Sequence, residues 1–243
     1  MNLIVLFTQL LMQQEKKTLL CNIYEKEIYI MMKMDEVLAK VQEVKVVPVV
    51  VLEDAKDALP LAKALVAGGL PIAEVTFRTA AAADCIKAMS ENCPDILVGA
   101  GTILNVEQCK KAIECGAQFI VTPGFSEEVT AYCVENEIPI LPGICTPTEL
   151  MRVVHYGLPV AKFFPAEAFG GLKTIKALAG PFPQMKFMPT GGVSEANVLD
   201  YLGFNKIVAA GGSWMVKGDL VKAGKFDEIE ALTRSAANLV QNN

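Results

Sequence analysis

Residues 46–52 read Val46-Val47-Pro48-Val49-Val50-Val51-Leu52, a valine-rich run that passes into Glu53-Asp54 with no glycine-rich turn behind it. A short apolar, β-branched run of this kind suits a strand buried on both faces, as strands of parallel sheets are. An open, doubly wound sheet would carry its dinucleotide fingerprint, glycines at fixed spacing, in the turn after the first strand. The chain has nothing of the sort after Leu52.

Working outward, similar runs recur at Ile72–Phe77, Ile96–Ala100, Phe119–Thr122, Ile138–Leu141, Val160–Phe164, Lys186–Pro189 and Ile207–Ala209. Helical stretches separate them at 54–68, 80–92, 105–115, 126–136, 146–156, 171–179 and 194–202, and a last one spans 226–241. Asn105 and Ser126 stand at N-cap positions, and Gly68, Gly116 and Gly157 at helix ends. Eight strand-then-helix units within about 200 residues predict an α/β fold, a single-domain (β/α)8 TIM barrel. That prediction also locates the chemistry, because active sites of this fold lie at the C-terminal ends of the strands and in the loops that follow.

Residues 1–33 stand apart. An apolar run from Leu3 to Met12 precedes Glu15-Lys16-Lys17, the reverse of the order in a secretory signal, and it is too short to span a bilayer. Thr18-Leu19-Leu20-Cys21 has a bulky leucine where a lipoprotein cleavage site needs a small residue. The expectation is an over-long start or a dispensable extension at 1–33, with the barrel domain at 34–243.

Composition narrows the function. Of 243 residues, 52% are hydrophobic and 20% charged, enough apolar material for one large core. The net charge is −5 and no Lys/Arg run stands out, so nucleic acid and anionic membranes are not expected partners, and any anion must be held locally. Seven cysteines are scattered without a CxxC pair, which fits reduced thiols better than a disulfide framework. The single histidine, His155, falls at a helix end where capping explains it. Zinc sites usually recruit several Cys or His ligands, and most acid–base hydrolases lean on a histidine, so a metal-dependent mechanism is not expected.

Polar residues interrupt two strands. In Ala73-Glu74-Val75-Thr76-Phe77-Arg78, alternation puts Glu74, Thr76 and Arg78 on one face and Val75 and Phe77 on the other. The apolar face suits the helix layer, so the polar line is expected to look into the barrel, where charges are costly unless paired or used. A buried ion pair filling the barrel would be the structural explanation. In Val160-Ala161-Lys162-Phe163-Phe164-Pro165 a lone lysine sits within an apolar strand. Its tip could snorkel to the barrel mouth. Buried, it would lose the hydration that favours the ammonium form, which suits a nucleophilic amine. Thr190-Gly191-Gly192 and Gly211-Gly212-Ser213 follow the last two predicted strands, where barrels often hold phosphate on backbone N–H groups.

At these residues the chain closely resembles the 2-keto-3-deoxy-6-phosphogluconate (KDPG) / 4-hydroxy-2-oxoglutarate (KHG) aldolase family, over roughly Val37 to Val240. The carrying motifs are Glu74-Val75-Thr76-Phe77-Arg78-Thr79 and Lys162-Phe163-Phe164-Pro165-Ala166-Glu167, with Gly99-Ala100-Gly101-Thr102, Pro123-Gly124, Pro142-Gly143 and Pro189-Thr190-Gly191-Gly192 in order. The resemblance implies a cofactor-free class I aldolase in which Lys162 forms a Schiff base and Glu74 is the general acid/base. It assigns Arg78 and Thr102 to the pyruvate carboxylate, and Pro123 and Phe164 to the walls around the pyruvyl methyl. Thr190, Gly191, Gly192 and Ser213 match the phosphate end of a phosphorylated keto-acid substrate. It further implies a cytoplasmic homotrimer. Phe169 departs from the polar residue of some relatives, which bears on substrate preference. The alternatives are a 2-keto-3-deoxy-6-phosphogalactonate aldolase and, more remotely, a sugar-phosphate isomerase or epimerase, or a non-catalytic phosphate-binding barrel.

Overall fold

The computed structural model describes residues 32–241, so the reading of 1–33 as an extension falls almost wholly outside the described residues. Helix α1 (Met34–Val44) buries Val37, Leu38, Val41 and Val44, one apolar stripe at helical spacing. Ahead of it the Glu36 carboxylate accepts the backbone N–H of Lys33 at 2.9 Å. Lys45, in a left-handed conformation, then turns the chain into β1 (Val46–Val50).

Strand and helix alternate from there: α2 (Ala58–Ala67), β2 (Ile72–Thr76), α3 (Ala82–Asn92), β3 (Leu97–Gly101), α4 (Val106–Glu114), β4 (Phe119–Val121) and α5 (Glu127–Glu135). Next come β5 (Ile140–Leu141), β6 (Gly143–Ile144), α6 (Pro147–His155), β7 (Val160–Phe163), α7 (Gly171–Ala179), β8 (Lys186–Pro189), α8 (Val198–Leu202), β9 (Ala210–Gly212), α9 (Gly218–Lys222) and α10 (Phe226–Gln241). The predicted caps form: Asn105 accepts the N–H of Gln108 and Ser126 that of Val129. Among the described residues, no helix is long and apolar enough to cross a membrane.

Every strand pairing is parallel. One sheet runs β5-β4-β3-β2-β1-β9 and a second runs β6-β7-β8. Pro142 separates β5 from β6, and its carbonyl accepts the N–H of Lys162 at 2.9 Å, so one stretch of chain leaves the first sheet and enters the second. On the other side, isolated parallel bridges join Phe187 to Ile207 and Thr190 to Gly211. The result is an α/β fold with a curled parallel sheet. Glu74 on β2 and Lys162 on β7 meet at 2.9 Å, which makes the two sheets face one interior.

The end of the chain differs from the sequence expectation. The last strand is Ala210–Gly212, paired with Val46–Pro48, and not Ile207–Ala209. Gly211 and Gly212 therefore lie inside a strand instead of forming a turn after it. Close approach explains their presence there: a Cβ on Gly211 would stand 2.4 Å from Thr190 Oγ1, and one on Gly212 1.9 Å from the Trp214 ring. The helix expected at 194–202 is confined to α8, and the short α9 had no strong periodic signal to reveal it.

Candidate active site

Lys162 lies between β6 and β8 in register with Gly143 and Met188, and only 4% of it is exposed. Across the interior stands Glu74, fully buried on β2. Lys162 Nζ donates to Glu74 Oε1 at 2.9 Å, while Glu74 Oε2 is buried and, among the described residues, has no hydrogen-bond partner. A carboxylate with one oxygen on an amine and the other unclaimed can take a proton from, or give one to, a third group between them.

The approach of the two groups depends on β3. A Cβ at Gly101 would lie 2.2 Å from Glu74 Oε1 and 2.6 Å from its Cγ, so the residue beside Glu74 has to be glycine. Thr76, expected on the same inward line, is spent structurally: its buried hydroxyl donates to the Val50 carbonyl at 3.0 Å and ties β2 to β1.

Arg78 and Thr102 meet just beyond the ends of β2 and β3. Arg78 Nε donates to Thr102 Oγ1 at 3.3 Å, which orients the planar guanidinium, and among the described residues it has no carboxylate partner. Thr102 itself has φ 58°, a left-handed conformation that a β-branched residue rarely adopts. Strain of this kind concentrates at functional sites. Phe164 follows Lys162 by two residues, its ring centroid 5.4 Å from Nζ. Pro123 closes the same end at β4, where its backbone is so near Gly143 that a Cβ there would be 2.5 Å from the Pro123 carbonyl carbon.

The residues expected to receive a phosphate begin at the end of β8. Thr190 donates its N–H to Phe163 O at 2.9 Å, and its buried Oγ1 has no hydrogen-bond partner among the described residues. Gly191 and Gly192 follow with φ of 96° and 80°. Their carbonyls and that of Thr190 are all engaged, by the N–H groups of Glu167 (3.1 Å) and Ala166 (2.8 Å) and by Asn197 Nδ2 (3.1 Å). The loop's three backbone carbonyls are therefore occupied, which leaves fewer lone pairs to repel an incoming anion. Ser213, exposed, is the first residue after β9, whose Gly211 bridges to Thr190.

The structure thus brings Lys162, Glu74 and Phe164 together, pairs Arg78 with Thr102, and sets Thr190–Gly192 beside the end of β9. Sequence reasoning missed Gly101, Asn197, Glu167 and Tyr201 as contributors. Glu167 sits inside the quoted Lys162 motif, so its position was visible although its contacts were not.

A family model described as KDPG and KHG aldolase matches residues 37–232. The 2-dehydro-3-deoxy-phosphogluconate aldolase of Treponema pallidum is 46% identical over 82% of this chain and 95% of its own length. The KHG/KDPG aldolase of Escherichia coli K12 is 49% identical over 79% of this chain and 90% of its own. A crystal structure of KDPG aldolase from Legionella pneumophila, with pyruvate captured at low pH as a covalent carbinolamine intermediate, superposes with a TM-score of 0.79. It is 38% identical and covers 82% of this chain and 97% of the other.

Proposed function

This chain belongs to the KDPG and KHG aldolase family, and from that membership we propose that it is a class I aldolase working through Lys162. It cleaves 2-keto-3-deoxy-6-phosphogluconate to pyruvate and glyceraldehyde 3-phosphate, and 4-hydroxy-2-oxoglutarate to pyruvate and glyoxylate. The observation that carries the reading is the buried 2.9 Å contact between Lys162 Nζ and Glu74 Oε1.

The chemistry runs on those two groups. Lys162 passes a proton to Glu74 and attacks the C2 carbonyl, giving a carbinolamine. Glu74 returns that proton to the departing hydroxyl, so water leaves, a protonated imine remains and Glu74 is a carboxylate again. Glu74 accepts the C4 hydroxyl proton as the C3–C4 bond breaks, and the bonding pair passes into the imine to leave an enamine. The aldehyde departs, Glu74 returns the proton to C3, and water hydrolyses the resulting imine to pyruvate and free amine. Arg78, steadied by Thr102, holds the keto-acid carboxylate through charge-assisted hydrogen bonds. Phe164 and Pro123 enclose the methyl end. Thr190, Gly191, Gly192 and Ser213 receive the phosphate.

The bridges at Phe187–Ile207 and Thr190–Gly211, together with the passage through Pro142, support reading the two sheets as one eight-stranded barrel, β5 and β6 forming a single interrupted strand. We read 34–243 as the catalytic unit and, by resemblance to the family, a cytoplasmic homotrimer as its working form.

The test is pyruvate release from KDPG, its galactonate epimer and KHG, coupled to borohydride reduction in the presence of pyruvate. KDPG cleavage with a reduced three-carbon adduct on the Lys162 peptide is the expected result. Faster cleavage of the galactonate epimer would reassign the substrate, and an adduct on another lysine, or none, would overturn the mechanism.

A further inference from the structure

Five residues after Lys162, Glu167 opens a short 3-10 turn (Glu167–Phe169) that leads into α7. Its carboxylate Oε1 accepts a hydrogen bond from the hydroxyl of Tyr201, a residue of α8 that is only 2% exposed. Burial, and then the Glu167 hydrogen bond, push the Tyr201 hydroxyl well above the usual phenol range, so it stays a donor.

Glu167 is also built into the Gly191-Gly192 loop. Its N–H donates to Gly191 O at 3.1 Å, and its stem lies so close to Gly192 that a Cβ there would stand 2.5 Å from Glu167 Cγ. On the far side, a Cβ at Gly171 would meet Tyr201 Oη at 2.9 Å and Glu167 Oε1 at 3.0 Å. Asn197, immediately before α8, holds the Gly192 carbonyl at 3.1 Å and the Ser194 N–H at 2.8 Å. Helix α8 and the 3-10 turn thus grip the loop from two sides. A carboxylate released from that grip would be a negative charge beside any phosphate on the loop, and like charges at such range repel.

We propose that Tyr201 and Glu167 form a latch that shapes the Gly191-Gly192 loop and anchors the Glu167 carboxylate, so that the pair sets the preference for phosphorylated over unphosphorylated substrates. The proposal rests on the loop being the phosphate end of the aldolase site. Tyr201 and Glu167 are positioning residues that act through the loop and leave the imine chemistry at Lys162 to proceed.

Tyr201→Phe removes the donor and keeps the buried ring. Its KM for KDPG should rise roughly tenfold with kcat little changed, while KHG, which has no phosphate, should be turned over as by the parent. Adding Glu167→Gln to Tyr201→Phe should return the KM for KDPG towards the parent, because the freed group is then neutral. A mere packing defect would move KDPG and KHG alike, would not be rescued, and would overturn the proposal. Binding of inorganic phosphate, followed by ³¹P NMR titration, separates this idea from the assigned reaction. The latch predicts weaker binding to Tyr201→Phe whichever substrate the parent cleaves, and equal affinities would sink it.

Discussion

Glu74 and Lys162 lie 88 positions apart in the chain and 2.9 Å apart in the fold, each delivered by a different sheet and each buried. Removing one partner of such a pair leaves an uncompensated buried charge, a loss of about 3–5 kcal/mol. Replacing both with apolar side chains of similar volume is often neutral or stabilising, by about 1–4 kcal/mol. Lys162→Met alone should therefore lower Tm markedly, and Glu74→Leu/Lys162→Met should recover the parent value or exceed it, with both proteins inactive. Thermal unfolding of the three proteins checks this. A double variant no more stable than the single one would mean that the pair holds the interior together and is not retained for its chemistry.

Proton transfer can be separated from imine formation. Glu74→Gln keeps the shape and can still accept from Lys162, but it cannot exchange protons. Cleavage and deuterium exchange into the pyruvate methyl should both fall by about 10² to 10⁴, while borohydride still traps pyruvate on Lys162, more slowly, because the amine must then lose its proton to solvent. Exchange at the parent rate would place the base elsewhere.

Among the described residues Arg78 makes one side-chain hydrogen bond, to Thr102, a residue held at φ 58°. Arg78→Ala removes a charge-assisted partner for the keto-acid carboxylate, which is worth about 1.5–3 kcal/mol. KM should rise roughly ten- to hundredfold for KDPG and KHG alike, because both carry that carboxylate, and kcat should change less. A defect confined to the phosphorylated substrate would move Arg78 to the other end of the site.

The sequence showed the strands that matter most because burial on both faces writes itself as runs of valine and isoleucine, and because a lysine or glutamate within such a run is conspicuous. The parity of Glu74, Thr76 and Arg78 put Glu74 inside correctly. It did not reveal that Thr76 serves the neighbouring strand's carbonyl, since the same alternation describes a catalytic and a structural hydroxyl. The last strand was misplaced by three residues because Gly211 and Gly212 carry the signal of a turn. Their actual reason, room for Thr190 and Trp214, belongs to tertiary contacts that local sequence does not encode. The Tyr201–Glu167 contact, spanning 34 positions, is invisible for the same reason.

Gly101 offers the sharpest check on geometry. It lies at the end of β3, in register with Thr76, and any side chain there would enter the space of Glu74. A methyl 2.2 Å from Oε1 cannot coexist with the carboxylate as it stands, and Glu74 is packed too tightly to yield without leaving Lys162. Overpacking of this kind costs about 1–3 kcal/mol, which a domain of this size can absorb. Misplacing a catalytic group by about 1 Å can cost 10²-fold in rate. Gly101→Ala should thus fold, with Tm lowered by a few degrees, and lose about two orders of magnitude in kcat on both KDPG and KHG. Its KM should move little, because Arg78 and the Gly191-Gly192 loop are untouched. Steady-state kinetics beside a thermal melt decide the matter: a folded Gly101→Ala protein with the parent kcat would show that the position of Glu74 Oε1 does not limit the reaction.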